Sequence, residues 1–350
     1  MEDLPDLMTA AVTTGHGGPD MVEIHRDWPR PRPGAREALI RVTAAGVNNT
    51  DLWAREGSYG TADDAGAVAG WQGVPLEFPL IQGGDVTGVV ADVAVGVDRE
   101  LIGRRVLVDP AAEYDQHGHP SRIVGSEVDG GFAQFHVSAV DRLHDMSTSP
   151  LSDQQLASLP VAYATALGMI EAAACQPGER VLVTGASGGV GLAATQMLAS
   201  RGCLVVAYTS EGKARSMGDS GASEIVTRGK ARLSDVEEFD AVLDVVGGDE
   251  FAEFVGRLRT GGRLATVGAI AGPMVQLDLR RLYLRHRRLI GSTMHSPRIF
   301  HGVAELARRG AVSPVVADAY PLTEIVTAQE RFMSKDFVGK LVVIPPPLGA

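Results

Sequence analysis

Apolar positions change their spacing near the middle of the chain. Up to about residue 145 they come in short runs, at 38–42, 88–93 and 105–108, broken by Gly, Pro and Asp and with little helical periodicity. Such runs predict a β-rich segment. Two stretches, 57–73 and 111–126, are rich in small and polar residues and read as long loops of the kind that wall a site. After Ser152 the pattern becomes helical, interrupted at Pro160. Strands then alternate with helices. The strands fall at 181–183, 204–208, 224–226, 241–244, 263–267 and 288–291, and the helices at 189–200, 213–217 and 251–258. Alternation of this kind predicts an α/β fold with a doubly wound parallel sheet. The tail adds two amphipathic helices, 297–309 and 323–334, and a strand at 340–344 that stops at three prolines.

At 350 residues the chain is long enough for two domains, and 45% hydrophobic residues suffice for sizeable cores. The net charge of −11, with Lys and Arg scattered, speaks against nucleic acid or an anionic membrane as partner. Two cysteines, Cys175 and Cys203, are too few for a disulfide scaffold or a four-thiolate zinc site. The first residues are acidic and carry no signal-peptide pattern, and no run approaches the roughly 20 apolar residues that span a bilayer. A soluble cytoplasmic protein is expected.

The strongest chemical signal is Gly185-Ala186-Ser187-Gly188-Gly189-Val190-Gly191, which follows an apolar strand and opens a helix. Its spacing is a dinucleotide fingerprint with Ala186 at the first glycine position. Gly188 lets the backbone approach a pyrophosphate and Gly191 lets the helix pack on the strand. The free N–H groups of the helix start then face the phosphates. At the end of the second strand an NAD site typically places an acid; here Thr209 and Ser210 stand there, with Lys213 in reach of a 2′-phosphate. NADPH is therefore expected as cofactor, with Arg215 as a lesser helper and Glu211 as the one residue of opposite sign.

With that turn, the segments Ala45-Gly46-Val47-Asn48-Asn49-Thr50-Asp51, Gly83-Gly84-Asp85-Val86-Thr87-Gly88 and Gly339-Lys340-Leu341-Val342, in this order, resemble the medium-chain dehydrogenase/reductase superfamily over nearly the whole chain. The nearest branch is its zinc-free quinone oxidoreductase-like group. The resemblance implies a GroES-like catalytic domain at 1–145, completed by 301–350, and a Rossmann domain at 146–300. Zinc-dependent members carry Cys where Asn48 stands and His-Glu where Gly84-Asp85 stands, so no metal is expected. His117 and His119, on one polar stretch without a companion cysteine, are read as solvated.

By the same resemblance Asn48 and Tyr59 line the nicotinamide and substrate site, and Trp53 stands where the branch often has tyrosine. Asn48 would donate its amide to a substrate oxygen, against a role as a strand-end turn residue; Tyr59 would donate a proton, against a role as a loop anchor. Further cofactor contacts are implied for Thr165, Val245, Val246, Gly268, Ala269, Ser292, Thr293, Met294 and Lys340. Without a Lewis acid, reduction of a quinone or of a conjugated C=C is easier than alcohol oxidation, because the charge left by hydride attack delocalises onto a carbonyl oxygen. The expected function is thus NADPH-dependent reduction of a quinone or α,β-unsaturated carbonyl. A metal-dependent alcohol dehydrogenase with unusual ligands and a non-catalytic NADPH-binding sensor are the alternatives. A homodimer is expected, with the apolar stretch 264–279 extending the sheet across a two-fold axis.

Overall fold

In a computed structural model, residues 4–60, 68–229 and 233–349 are described, so part of the stretch 57–73 lies outside the described residues. The chain divides into two compact units. The first comprises Met1–Val161, Ser296–Lys335 and Lys340–Ala350; the second comprises Ala162–His295 and Asp336–Gly339. The division falls at Val161 and Ser296; the resemblance implied boundaries at 145 and 300.

The first unit begins with β1 (Leu7–Thr13), β2 (Val22–Pro29) and β3 (Glu37–Gly46), then α1 (Asn49–Glu56), β4 (Leu80–Ile81), β5 (Asp85–Val93) and β6 (Arg105–Val108). It continues with β7 (Ala111–Tyr114), β8 (Pro120–Ile123), β9 (Phe135–Ala139), β10 (Leu143–Asp145), α2 (Asp153–Leu156) and the start of α3 (Pro160–Ala172). The expected loop at 111–126 is in fact a two-stranded hairpin of β7 and β8. The Asp115 carboxylate accepts from the N–H groups of His117 and His119, and Gly118 takes a positive φ of 79°, so polar turn chemistry hides the strands on either side.

The second unit holds the alternating elements. These are β11 (Arg180–Val183), α4 (Gly189–Ser200), β12 (Leu204–Thr209), α5 (Glu211–Ala214), β13 (Glu224–Thr227), β14 (Phe239–Asp244), α6 (Phe251–Gly256), β15 (Leu258–Thr266), α7 (Arg280–Tyr283) and β16 (Arg288–Gly291). The strands form one parallel sheet in the order β13-β12-β11-β14-β15-β16. Two half-sheets that wind outward from β11 and β14 leave a switch point between them, where doubly wound folds bind ligands beyond the carboxyl ends. The helix expected at 213–217 starts earlier, at Glu211, and tightens into a 3₁₀ turn over Arg215–Met217. Leu182, Val206, Val242, Phe254 and Leu264, all buried, pack the sheet against its helices.

The chain then returns to the first unit through α8 (Pro297–Arg308), β17 (Val316–Pro321), α9 (Ile325–Ser334) and β18 (Lys340–Ile344). β18 joins the large sheet, whose order is β10-β6-β5-β3-β18-β17, with β9 paired to β3. β1, β2 and β4 make a separate three-stranded sheet. Ile40, Val90 and Val106 form part of the core beneath the large sheet. The helix periodicity of α8 is the clearest in the chain: Ile299, Phe300, Val303 and Ala307 lie on its buried side.

Candidate functional site

In the second unit, β11 delivers the chain into the glycine turn. Gly185 has φ +55°, a conformation that suits glycine, and a Cβ there would stand 2.9 Å from a Val245 methyl and 3.0 Å from one of Val246. At Gly191 a Cβ would come within 2.3 Å of the Gly185 carbonyl oxygen, so α4 can reach the turn only with glycine at that place. Gly188 differs. Its φ is −82°, and a Cβ would meet nothing nearer than the Gly185 oxygen at 3.5 Å. The fold itself therefore tolerates a side chain at Gly188, which precedes the first-turn N–H groups of Gly189, Val190 and Gly191, groups that have no helical partners.

The surroundings of the turn are buried and hydrogen-bonded. Ala186 and Ser187 are buried, and the Thr209 hydroxyl donates to the Ser187 hydroxyl at 3.0 Å. Gly339 N–H donates to the Ser187 carbonyl at 2.9 Å, so the short returning segment bridges to the turn. After β14, the buried Asp244 carboxylate accepts from the Thr184 hydroxyl and from the N–H groups of Val246 and Gly247, which fixes the Val245–Val246 loop. Burial pushes its carboxyl above the usual carboxylate range, while these hydrogen bonds pull it back. A Cβ on Gly268 would lie 2.6 Å from the Val245 oxygen, so the loops after β14 and β15, the latter with Ala269, pack closely. Ser292 N–H donates to the Thr266 oxygen, Thr293 is exposed, and Met294 adopts a left-handed φ of 47° beside Gly168 of α3. Thr165 lies buried on α3. Ser210 caps α5 from extended backbone, and Lys213 is half-buried in that helix.

In the first unit, Asn48 sits where β3 turns into α1. Both ends of its amide are engaged. Oδ1 accepts from the Lys340 ammonium at 2.5 Å, and Nδ2 donates to Asp85 Oδ2 at 2.8 Å. Lys is donor-only and a carboxylate acceptor-only, so the amide can face only one way. The Lys340 ammonium spends its three protons on Asn48, on Asp85 Oδ2 at 2.9 Å and on the Val47 carbonyl at 3.0 Å. The other Asp85 oxygen accepts from Val161 N–H at 2.7 Å. Next to this triad, Asp51 accepts from Asn48 N–H at 2.7 Å. Full burial, followed by the nearby Asp85 charge, pushes the Asp51 carboxyl up to about 7 against the pull of its hydrogen bonds and of Lys340.

These contacts bear on two expectations, the substrate-facing role of Asn48 and the cofactor contact of Lys340. One Asn48 amide proton goes to Asp85 and the other meets the Gly46 carbonyl at 3.5 Å, while Lys340 spends its three protons within the first unit. Asp85, quoted from the sequence only for what it replaces, is the acceptor that holds both. Tyr59, by contrast, is a usable donor. Burial raises its phenol above the ordinary range, and the Thr50 hydroxyl is its hydrogen-bond partner. Trp53 packs edge-on against Tyr59, ring centroids 5.6 Å apart, and so orients the ring rather than donating. Thr50, a helix residue of unremarkable type, was not singled out from the sequence; only its pairing with Tyr59 reveals it.

The donor set does not fit a metal ion. Gly84 has no side chain, the Asn48 oxygen and one Asp85 oxygen already hold an ammonium, and among the described residues no group of three or more His, Cys, Asp or Glu could coordinate one. A nicotinamide dinucleotide does fit the second unit, whose glycine turn leaves room for a pyrophosphate at Gly188.

Comparison with known proteins agrees. Residues 34–148 match the alcohol dehydrogenase GroES-like domain, and residues 220–343 match the family described as zinc-binding dehydrogenase. The chain is 30% identical to acryloyl-coenzyme A reductase of Metallosphaera sedula, with 96% of this chain and 99% of the relative covered. It belongs to the medium-chain dehydrogenase/reductase superfamily, in the quinone oxidoreductase-like branch. Within that superfamily it is 28% identical to quinone oxidoreductase of Rattus norvegicus, covering 97% of this chain and 98% of the relative. A solved structure described as a putative alcohol dehydrogenase from Sinorhizobium meliloti is 43% identical, covers 99% of each chain and superimposes with a TM-score of 0.94. As a superfamily member the chain has a GroES-like domain and a Rossmann-type domain, and it is an oxidoreductase that takes a nicotinamide cofactor. Among the described residues, no helix is long and apolar enough to cross a membrane.

Proposed function

We propose that this protein is an NADPH-dependent reductase of quinones or α,β-unsaturated carbonyl compounds that works without zinc. The observation that carries the proposal is the closed triad of Asn48, Asp85 and Lys340, which ties up the side chains at the metal-ligand positions of zinc-dependent relatives. With no metal to polarise the substrate, activation falls to hydrogen-bond donors, and an acceptor whose developing charge spreads onto a carbonyl oxygen is the class such donors can serve.

Bound NADPH would supply the hydride. The glycine turn and the N–H groups of Gly189, Val190 and Gly191 would take its pyrophosphate, with Val245, Val246, Gly268 and Ala269 forming the loops beyond β14 and β15. Ser210 and Lys213 stand at the end of β12 without an acid in the ribose position. Thr209, whose hydroxyl is spent on Ser187, contributes by stiffening the turn. Tyr59, kept protonated by burial and backed by Thr50, would donate a hydrogen bond to the carbonyl oxygen as charge arrives there, and solvent or Tyr59 would then deliver the proton. The relatives named quinone oxidoreductase and acryloyl-coenzyme A reductase support that acceptor class.

A homodimer is part of the proposal. β16 is the edge strand of the parallel sheet, and Met274, Leu279, Tyr283, Leu284 and Leu289 expose apolar surface on and just before it. Two buried free cysteines suit a reducing compartment such as the cytoplasm. The test is direct. The purified protein is mixed with NADPH and a panel of quinones and enones while nicotinamide absorbance is followed before and after dialysis against a chelator. Turnover with at least one acceptor, unchanged by chelation, is expected. Tight NADPH binding without turnover would favour a sensor, and activity lost with the metal would favour an alcohol dehydrogenase. Light scattering checks the dimer.

A further inference from the structure

We propose that a cavity in the first unit, lined by the three-stranded sheet and by β9, binds a small cationic amine that carries one apolar ring. This goes beyond the reductase reading and does not depend on it. The cavity has a volume of about 220 Å³. Its walls include Met8 of β1, Trp28 of β2, Ile81 of β4, and Phe135 and His136 of β9, with Asp129 from the loop between β8 and β9. None of the residues placed at the glycine turn or around Asn48 lines it. An apolar cavity of roughly 150 Å³ is enough for a benzene ring, so this one has room for a ring and a short arm.

The carboxylate in the wall sets the charge of the ligand. Asp129 Oδ1 accepts from Ile81 N–H at 2.9 Å, and Gly130 N–H donates to the Ile81 carbonyl at 2.6 Å, so β4 holds the carboxylate in place. Its other oxygen accepts no hydrogen bond from the described residues, and among them Asp129 forms no ion pair. Burial raises this carboxyl above its ordinary range, opposed by the Ile81 N–H and by no neighbouring cation. His136 adds no positive charge. It is buried, its Nε2 has no hydrogen-bond partner among the described residues, and burial pushes the ring down to about 4 against the pull of the Asp129 and Gly130 carbonyls. Arg30 stands 5.9 Å from the centre of the Phe135 ring but does not line the cavity; its guanidinium donates to the Pro5 carbonyl and pairs with Asp6.

A half-buried carboxylate without a counter-ion is unfavourable, and an ammonium supplies what it lacks through a charge-assisted hydrogen bond. The rings of Trp28 and Phe135 attract a cation and cover the apolar part of the same ligand. His25 packs edge-on against Trp28, ring centroids 5.2 Å apart, and so orients the indole. An anionic ligand would meet the Asp129 charge, and the net charge of −11 favours the approach of a cation.

The experiment is isothermal titration calorimetry of the full chain with 2-phenylethylammonium chloride, with its neutral analogue 2-phenylethanol and with the anion phenylacetate. The ammonium compound is expected to bind with a dissociation constant below about 1 mM, the alcohol at least about tenfold more weakly and the anion not detectably. Asp129→Asn keeps an acceptor for Ile81 N–H while removing the charge, and should weaken the ammonium compound about tenfold or more. Trp28→Ala leaves the carboxylate untouched and should also weaken it. Melting temperatures close to the parent's show that the variants fold, and should Asp129→Asn not fold, Trp28→Ala and the three probes on the parent decide. No binding of the ammonium compound to the parent, equal binding of the three probes, or affinity unaltered in the folded variants overturns the site.

Discussion

Lys340 and Asp85 form an ion pair at 2.9 Å in which 5% of the lysine side chain and none of the aspartate is exposed. Removing one partner of such a pair leaves a charge in a medium that cannot solvate it, at a typical cost of about 3–5 kcal/mol. Lys340→Met should therefore lower the unfolding free energy in denaturant by roughly that amount. Lys340→Met with Asp85→Leu should cost clearly less than the sum of the single changes, because no orphan charge remains. Additive losses would mean that the pair is not coupled as its geometry requires.

The two glycines of the turn should separate stability from binding. Gly191→Ala places a methyl 2.3 Å from the Gly185 oxygen and should shift the turn, reducing both the melting temperature and nucleotide affinity. Gly188→Ala has room in the folded protein and should melt within a degree or two of the parent, yet bind NADPH at least about tenfold more weakly, since the methyl occupies the place kept for a phosphate. Thermal melting with and without NADPH checks both.

Tyr59→Phe removes the phenolic donor while keeping the ring that packs on Trp53. Its kcat on an enone should drop by about 10²-fold with little change in the affinity for NADPH, in line with the loss of one positioned acid. Thr50→Val should show a smaller loss in the same direction, since it supports the phenol rather than touching the substrate.

Asp51 should leave a mark on the pH dependence of stability. Its carboxyl titrates near 7 in the folded protein but near 3.8 when exposed, so between these values the folded state holds more proton than the unfolded one. Stability contributed by this site is therefore greatest at low pH and falls as pH rises towards 7, with a slope of up to about 1.4 kcal/mol per pH unit. Asp51→Asn removes that slope. The difference in unfolding free energy between Asp51→Asn and the parent should grow in favour of the variant from pH 5 to pH 8, as measured by urea titration at each pH.

What the sequence reveals depends on how local the physics is. The parallel sheet could be read because each β–α unit announces itself within a few residues, and the glycine turn because its backbone demands are local. The hairpin of β7 and β8 was hidden by Asp115 and its polar neighbours, since its strands pair with each other rather than with a core that would impose apolar alternation. The site residues that escaped notice, or whose role changed, are those defined by long-range pairing. Lys340 reads as a cofactor ligand until β18 is placed against β3, which brings it to Asn48 and Asp85.

The hydrogen bond from Gly339 to Ser187 also bears on how this chain can be cut. Four residues near the carboxyl terminus, Asp336–Gly339, belong to the unit that carries the glycine turn, while the next residue starts a strand of the other. A fragment excised as a continuous piece from Ala162 to His295 would leave the Ser187 carbonyl without its partner at the lip of the phosphate turn. Anyone transplanting this nucleotide-binding half into a chimera must graft the distant tetrapeptide along with it.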